Sequence, residues 1–419
     1  MKLKLLFVAS LALGLLLWKA APIYQYLAHR GVVSFLPWTD FAAIPEPAPS
    51  ISELYVAKYR DASNQALELL KVHRQQLNAP SINFAIAIDG ALVWASAIGW
   101  RNVEQQIPAQ LTTQYRIGST SKALTAMAIA RLVERQQIDL DTPIGGYLKP
   151  LPNASWRNIT PRQLLSHTSG LPHYPDNRDY LGLYQTIALS QNYPTAAEAL
   201  DVFDDSDLLF QPNADYHYST FGTVLLSAVI EQIAGRPFDD FITAELFEPL
   251  QLNDTASEQQ AIAQNRDSLA QFYWNNKGRS DQVKPWRQVD LSHRLAGGGF
   301  VSTSTDLARF GSAVLNGDVV NAETAATFFT PQLLANGQRT PDNYALGWRA
   351  PRYDFGNDLG NITFINHGGV SRGAQSILAL LPEYGVAIAM NINSNTEQFT
   401  DFSSVIRPIM ALFISLESS

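Results

Sequence analysis

The chain contains no cysteine. That absence excludes thiol nucleophiles, disulfides, zinc–thiolate sites and a lipidated N-terminal cysteine in one step. Charge is scarce too: only 16% of the 419 residues are charged, and the net charge is −8. The cations form no stripe or block, so nucleic acid is not an expected partner. No His-x-His or His-Glu-x-x-His grouping occurs, which leaves a zinc hydrolase without its ligands, and no metal or cofactor is expected. What is present is an ordinary globular composition, 46% hydrophobic and 11% aromatic, in a chain long enough for two or more packed cores.

The N-terminus supplies the one long apolar run. Met1-Lys2-Leu3-Lys4 precedes a charge-free stretch from Leu5 to Trp18 that Ala20 to Tyr24 can extend to a membrane interface. Trp18-Lys19-Ala20-Ala21-Pro22 is a poor cleavage site. Residues 1–24 therefore read as an uncleaved anchor, and Lys2 and Lys4 orient the body away from the cytoplasm, the periplasmic side in a bacterium. A cleaved export signal and a secreted body are the alternative. Residues 25–49, with Pro37, Pro45, Pro47 and Pro49, read as an extended tether.

The remainder, 50–419, reads as one body. Ser50-x-x-Glu53 has the capping-box pattern, which predicts a helix from there to about Gln76. Asp89-Gly90 divides two β-rich runs, Ile82 to Ile88 and Leu92 to Ile98, and predicts a hairpin. Helical patterns dominate 122–291, with the clearest helices at Ser121–Arg135 and Phe221–Ala234. Strand patterns return at Asn361–Ile365, Ala374–Leu381 and Val386–Asn391. A last apolar segment, Phe402–Leu416, contains Pro408 and predicts a kinked helix or two short ones. The expected class is α/β of the α+β type: an antiparallel sheet built from 50–121 and 292–419, with 122–291 inserted as a mainly helical part.

Three short segments carry chemistry. A serine hydroxyl needs a base within hydrogen-bonding range, and Ser119-x-x-Lys122 puts the two side chains one helical turn apart on one face. Burial would favour a neutral amine on Lys122, able to take a proton. By itself Ser-x-x-Lys is a weak pattern, since chance matches are common. Tyr218-Ser219-Thr220 offers a phenol beside two hydroxyls just before a helix, suited to a base or proton shuttle. His367-Gly368-Gly369-Val370 adjoins a strand, and its glycines let backbone approach a ligand, with the Val370 N–H as an oxyanion donor.

Taken together, Ser119-x-x-Lys122, Tyr218-Ser219-Thr220 and His367-Gly368-Gly369 resemble, in order and spacing, the penicillin-recognising serine hydrolases. That group comprises class C β-lactamases, D-alanyl-D-alanine carboxypeptidases and related esterases. Leu164-Leu-Ser-His167-Thr-Ser-Gly170 and Ala296-Gly-Gly-Gly-Phe300 are similar to its flanking stretches. Tyr218 to Gly222, Phe272-Tyr273 and Ala296 to Phe300 resemble a mitochondrial, filament-forming branch of that group. The resemblance covers roughly Ile82 to the C-terminus.

It implies a β-lactamase/transpeptidase-like fold and acyl transfer through an acyl-enzyme on an ester, amide or peptide. Ser119 would be the nucleophile, Lys122 the base and Tyr218 the proton shuttle. The N–H groups of Ser119 and Val370 would hold the oxyanion, and His367 would border the substrate. Thr220 stands where the family often has an Asn amide, and His367-Gly368 where many members have Lys-Thr. Both changes weaken the case for efficient β-lactam hydrolysis. Arg372 would restore positive charge at the cleft mouth. His167 reads as a structural residue beneath the site, and His173 and His217 as loop residues. A second reading is a self-assembling scaffold, a homo-oligomer or filament with little turnover.

Overall fold

The computed structural model describes residues 2–36, 40–264, 267–276, 279–356 and 359–417. Its centre is an antiparallel sheet whose strands come from both ends of the body. In chain order these are β1 (Ser50–Leu54), β2 (Ser81–Ile88), β3 (Ala91–Asn102), β4 (Ile365–Ser371), β5 (Ala374–Leu381) and β6 (Val386–Ile392), arranged β4-β5-β6-β2-β3-β1. The short strand Ile107–Pro108 pairs with β3 off this path. Asp89-Gly90 makes the β2–β3 turn with φ of 48° and 88°, as a two-residue hairpin of positive φ requires.

Every residue of β2, β5 and β6 is buried. The helices on either face explain why these strands are almost continuously apolar. On one face lie α1 (Arg60–Gln76) and the C-terminal pair α2 (Phe399–Ser403) and α3 (Ile406–Ile414), sharing a core with Phe84, Trp94, Ile388 and Phe413. On the other, Ser304–Asn316 packs on β2, β5 and β6, and its Gly311 leaves room for Leu380 and Ala387. The helical part joins this second core through Ser121–Glu134 and Thr220–Ala234.

Five expectations change. Ser50-x-x-Glu53 opens a strand: Ser50–Leu54 pairs with β3 from Ile98 to Trp94, and Ser52 Oγ accepts the Trp94 Nε1 hydrogen at 2.8 Å. Tertiary pairing outweighs the local capping pattern, and the helix starts at Arg60, ending at Gln76 as expected. The N-terminal helix runs Lys2–His29, past the anchor boundary at 24. The tether is docked: Ala42–Ala43 pairs with Arg279–Pro285, and the Pro45 carbonyl accepts from Trp100 Nε1 at 2.8 Å. Pro37 lies outside the described residues.

Within 122–291 two strands, Tyr273–Asn276 and Arg279–Pro285, form a hairpin among the helices. The strand expected at Asn361–Ile365 divides at Phe364, its first half pairing with Arg352–Asp354 and its second beginning β4. The terminal segment resolves into α2 and α3. Pro408 sits in the first turn of α3, where its missing N–H costs no helical bond. By length and composition, Leu6–His29 is apolar enough to cross a membrane, and its side chains from Leu6 to Trp18 are exposed.

Candidate active site

Ser119 occupies the turn Gly118–Thr120, which runs straight into the helix Ser121–Glu134. Gly118 has φ +50°, and a Cβ there would fall within 2.8 Å of the Val370 backbone nitrogen. Only glycine lets the edge strand β4 lie against the serine turn. The helix that follows is buried on nearly all sides from Ser121 to Ala130, so Lys122 points into protein and is only 2% exposed.

Lys122 Nζ has three partners: Ser119 Oγ at 3.2 Å, Thr220 Oγ1 at 3.1 Å and the Gly297 carbonyl at 2.7 Å. A neutral amine has two hydrogens and one lone pair. Donation to Gly297 and Thr220 leaves the lone pair facing the Ser119 hydroxyl. Burial lowers the Lys122 pKa to about 7; Tyr174 opposes the shift, and Arg294 and Arg349 reinforce it. At neutral pH a substantial fraction of Lys122 is therefore a free base. A Cβ at Gly297 would lie 2.6 Å from Thr220 Cγ2, so this glycine lets its carbonyl reach the amine.

Tyr218 stands over the same group, with Lys122 Nζ 5.0 Å from its ring centroid and its hydroxyl on the side of Ser119. Burial raises its pKa, and Arg349 and Ser119 offset only part of this. The resting phenol thus keeps its proton and is a donor. Thr220 turns its hydroxyl to Lys122.

His367 does not border the cleft. It is fully buried, and its ring bonds Tyr344 and the Gly368 carbonyl. A single chain of hydrogen bonds determines the tautomers. The Ser219 N–H donates to His167 Nδ1 at 3.3 Å, so His167 Nε2 carries the proton and donates to Tyr344 Oη at 3.0 Å. Tyr344 then donates to His367 Nε2 at 2.9 Å, and His367 Nδ1 donates to Gly368 O at 2.8 Å. Every donor in this run has one acceptor only if both rings are neutral. Burial pushes both imidazole pKa values well down, in keeping with that. His167 is thus a fixed support beneath Tyr218, whose ring lies 4.3 Å away.

Arg372 is not at the cleft mouth either. It lines a separate pocket with Tyr26, His29 and Trp286, because β4 turns into β5 beside the end of the N-terminal helix. The positive charge at the cleft comes from Arg294, Arg349 and Arg407, which pattern reading missed. Arg349 lies over the rings of Tyr218 and Tyr344 at 5.8 and 5.4 Å. Its backbone exchanges both hydrogen bonds with Asn366 at 2.8 Å, a long-range pairing that no local pattern announces. His173, read as a loop residue, lines the cleft and accepts the Thr220 N–H at 3.3 Å. His217 meets Asp176 at 3.1 Å.

The cleft encloses about 870 Å³. Ser119, Tyr218, Thr220, Gly368 and Val370 line it, and it continues to Phe364, Ile377, Phe399 and Ile406. Gly368 permits this: a Cβ there would lie 2.3 Å from Phe399 Cζ. Val370, 53% exposed, closes the strand side.

A serine, a buried amine at 3.2 Å, a phenol and a backbone edge meet in one cleft, and the comparisons with known proteins agree with that arrangement in family and fold. Residues 67–404 fit the Beta-lactamase family model, and the chain belongs to that family. Among curated relatives it is 28% identical over 431 aligned residues to the human serine beta-lactamase-like protein LACTB, mitochondrial, covering 84% of this chain and 76% of that one. An octameric penicillin-binding protein homologue from Pyrococcus abyssi has the same fold, with TM-score 0.68, 24% identity and coverage of 84% and 77%. The D-amino acid amidase from Ochrobactrum anthropi SV3, in complex with D-phenylalanine, matches with TM-score 0.67 and 22% identity over 85% and 99%.

Proposed function

We propose that the protein is a serine hydrolase working through an acyl-enzyme on an ester, amide or peptide. The observation that carries this reading is the Lys122 amine, 3.2 Å from Ser119 Oγ and held near pKa 7 by burial. Neutral Lys122 takes the Ser119 proton as Oγ adds to the carbonyl. The N–H groups of Ser119 and Val370 hold the oxyanion. Tyr218 gives its proton to the leaving group and regains one from the Lys122 ammonium. The acyl-enzyme thus forms with Lys122 neutral again, ready to activate water. Thr220 orients the amine by accepting one of its hydrogens. Gly368 and Gly369 keep the edge strand close, while His367 supports it from behind.

β-Lactams are poor candidates. Gly368 offers no hydroxyl, and His367 is neutral and turned away from the cleft. The long exposed N-terminal helix supports attachment to a membrane with the body outside the cytoplasm. Steady-state assays of the full chain in detergent, with chromogenic esters, D-amino-acid amides and nitrocefin, test the reading. Ester or amide turnover is expected, with kcat/KM on nitrocefin at least about 100-fold lower, and Ser119→Ala should abolish all of it. Turnover that survives in Ser119→Ala would remove Ser119 from the mechanism.

A further inference from the structure

Arg294 ends the turn Ser292–Arg294 and is 8% exposed. Its Nε and Nη2 are buried and have no hydrogen-bond partner among the described residues. These two nitrogens form one edge of the guanidinium. Arg116 uses the same edge on Glu258, Nε to Oε2 at 2.8 Å and Nη2 to Oε1 at 2.6 Å. Arg162 uses it on Asp141 at 2.7 and 2.8 Å. Arg294 has the fork without the carboxylate.

Leaving charged donors buried and unpaired is costly, and it is uncommon without a ligand or bound water to meet them. The position of Arg294 indicates what that partner is. It lines the cleft together with Ser119, and Tyr174 lies beneath its guanidinium, 5.7 Å from ring centroid to Cζ. A Cβ built on Gly298 would lie 3.7 Å from the Gly118 carbonyl carbon and 3.9 Å from Arg294 Cδ. The side chain therefore starts beside the serine turn. Arg349, the neighbouring cation, has Asp342 Oδ2 3.6 Å from its Nε and two tyrosine rings against it.

We propose that Arg294 binds a carboxylate of the substrate side-on, so the preferred ester, amide or peptide is anionic close to the bond that Ser119 attacks. This rests on the serine hydrolase reading for the identity of the reacting bond. The bidentate, charge-assisted pair sets both affinity and orientation.

The test compares two esters of one chromogenic phenol, the glutaric acid monoester and the neutral valerate. Their binding to the full-length Ser119→Ala protein is measured by calorimetry. The monoester is expected to bind at least about tenfold more tightly, and Ser119→Ala/Arg294→Gln is expected to lose that preference. Equal binding in Ser119→Ala overturns the proposal, as does a preference that persists without Arg294. Neither result depends on turnover. Failure of the wild-type protein to hydrolyse either ester would instead count against the hydrolase reading.

Discussion

Replacing Lys122 with Met should lower the acylation rate by about 10²–10⁴-fold, the usual range for a lost general base. It should also make the protein more stable. Both effects follow from burial. Lys122 is 2% exposed and its pKa falls from the ordinary lysine value of 10.5 to about 7. Between those values the unfolded chain binds a proton that the folded one does not, so this residue makes stability rise with pH across that window. Below pH 7 the full penalty applies, and Met, of similar length and uncharged, removes it. The wild-type acylation rate should rise about tenfold per pH unit below 7 and level off above it. Single-turnover kinetics from pH 5 to 9, with thermal melting alongside, read both quantities. A Met variant that keeps the wild-type pH limb would show that another group supplies the base.

Gly369→Ala should cost nearly as much activity through the backbone alone. An added Cβ would meet the Ile117 carbonyl oxygen at 1.8 Å and Ser376 Oγ at 2.7 Å. Neither can yield without moving β4 or the serine turn, since Ile117 O also accepts the Ser376 hydroxyl at 2.6 Å. Overpacking of this kind costs about 1–3 kcal/mol of stability. Displacing the Val370 N–H from the serine turn should cost about 10²–10³ in kcat, as for loss of one oxyanion donor. Melting temperature and kcat on the same ester check this. A variant with unchanged kcat would mean that Val370 is not an oxyanion donor.

Where period and turn chemistry are local, the fold was readable in advance. Asp89-Gly90 marks its hairpin because positive φ at two adjacent positions narrows the choice of residues. Gly235 ends the helix Thr220–Ala234 in the left-handed region for the same reason. Ser50 to Leu54 was misread because its capping pattern is local while the pairing that overrides it is with β3, over forty positions away in sequence. The docked tether is another long-range contact, held by Trp100 and Arg279–Pro285.

The site divides in the same way. Ser119 and Lys122 are one turn apart on consecutive helical structure, so spacing predicts their meeting. Arg294 and Arg349 reach the cleft through tertiary packing, and neither lies in a segment whose pattern announces a site. His367 was placed correctly in sequence and wrongly in space. Alternation along β4 turns it toward Tyr344, while Gly368, its neighbour, faces the cleft. Arg372 lies only two residues beyond Val370, but the β4–β5 turn carries it to a different pocket.

The most direct test of an activated Ser119 is intact-mass spectrometry of the full chain after exposure to a fluorophosphonate, with Ser119→Ala treated identically. One covalent adduct on the wild-type protein and none on the variant is the expected result. No adduct, under conditions that fully label a known serine hydrolase, would contradict the account and favour a scaffold that keeps the fold without the chemistry.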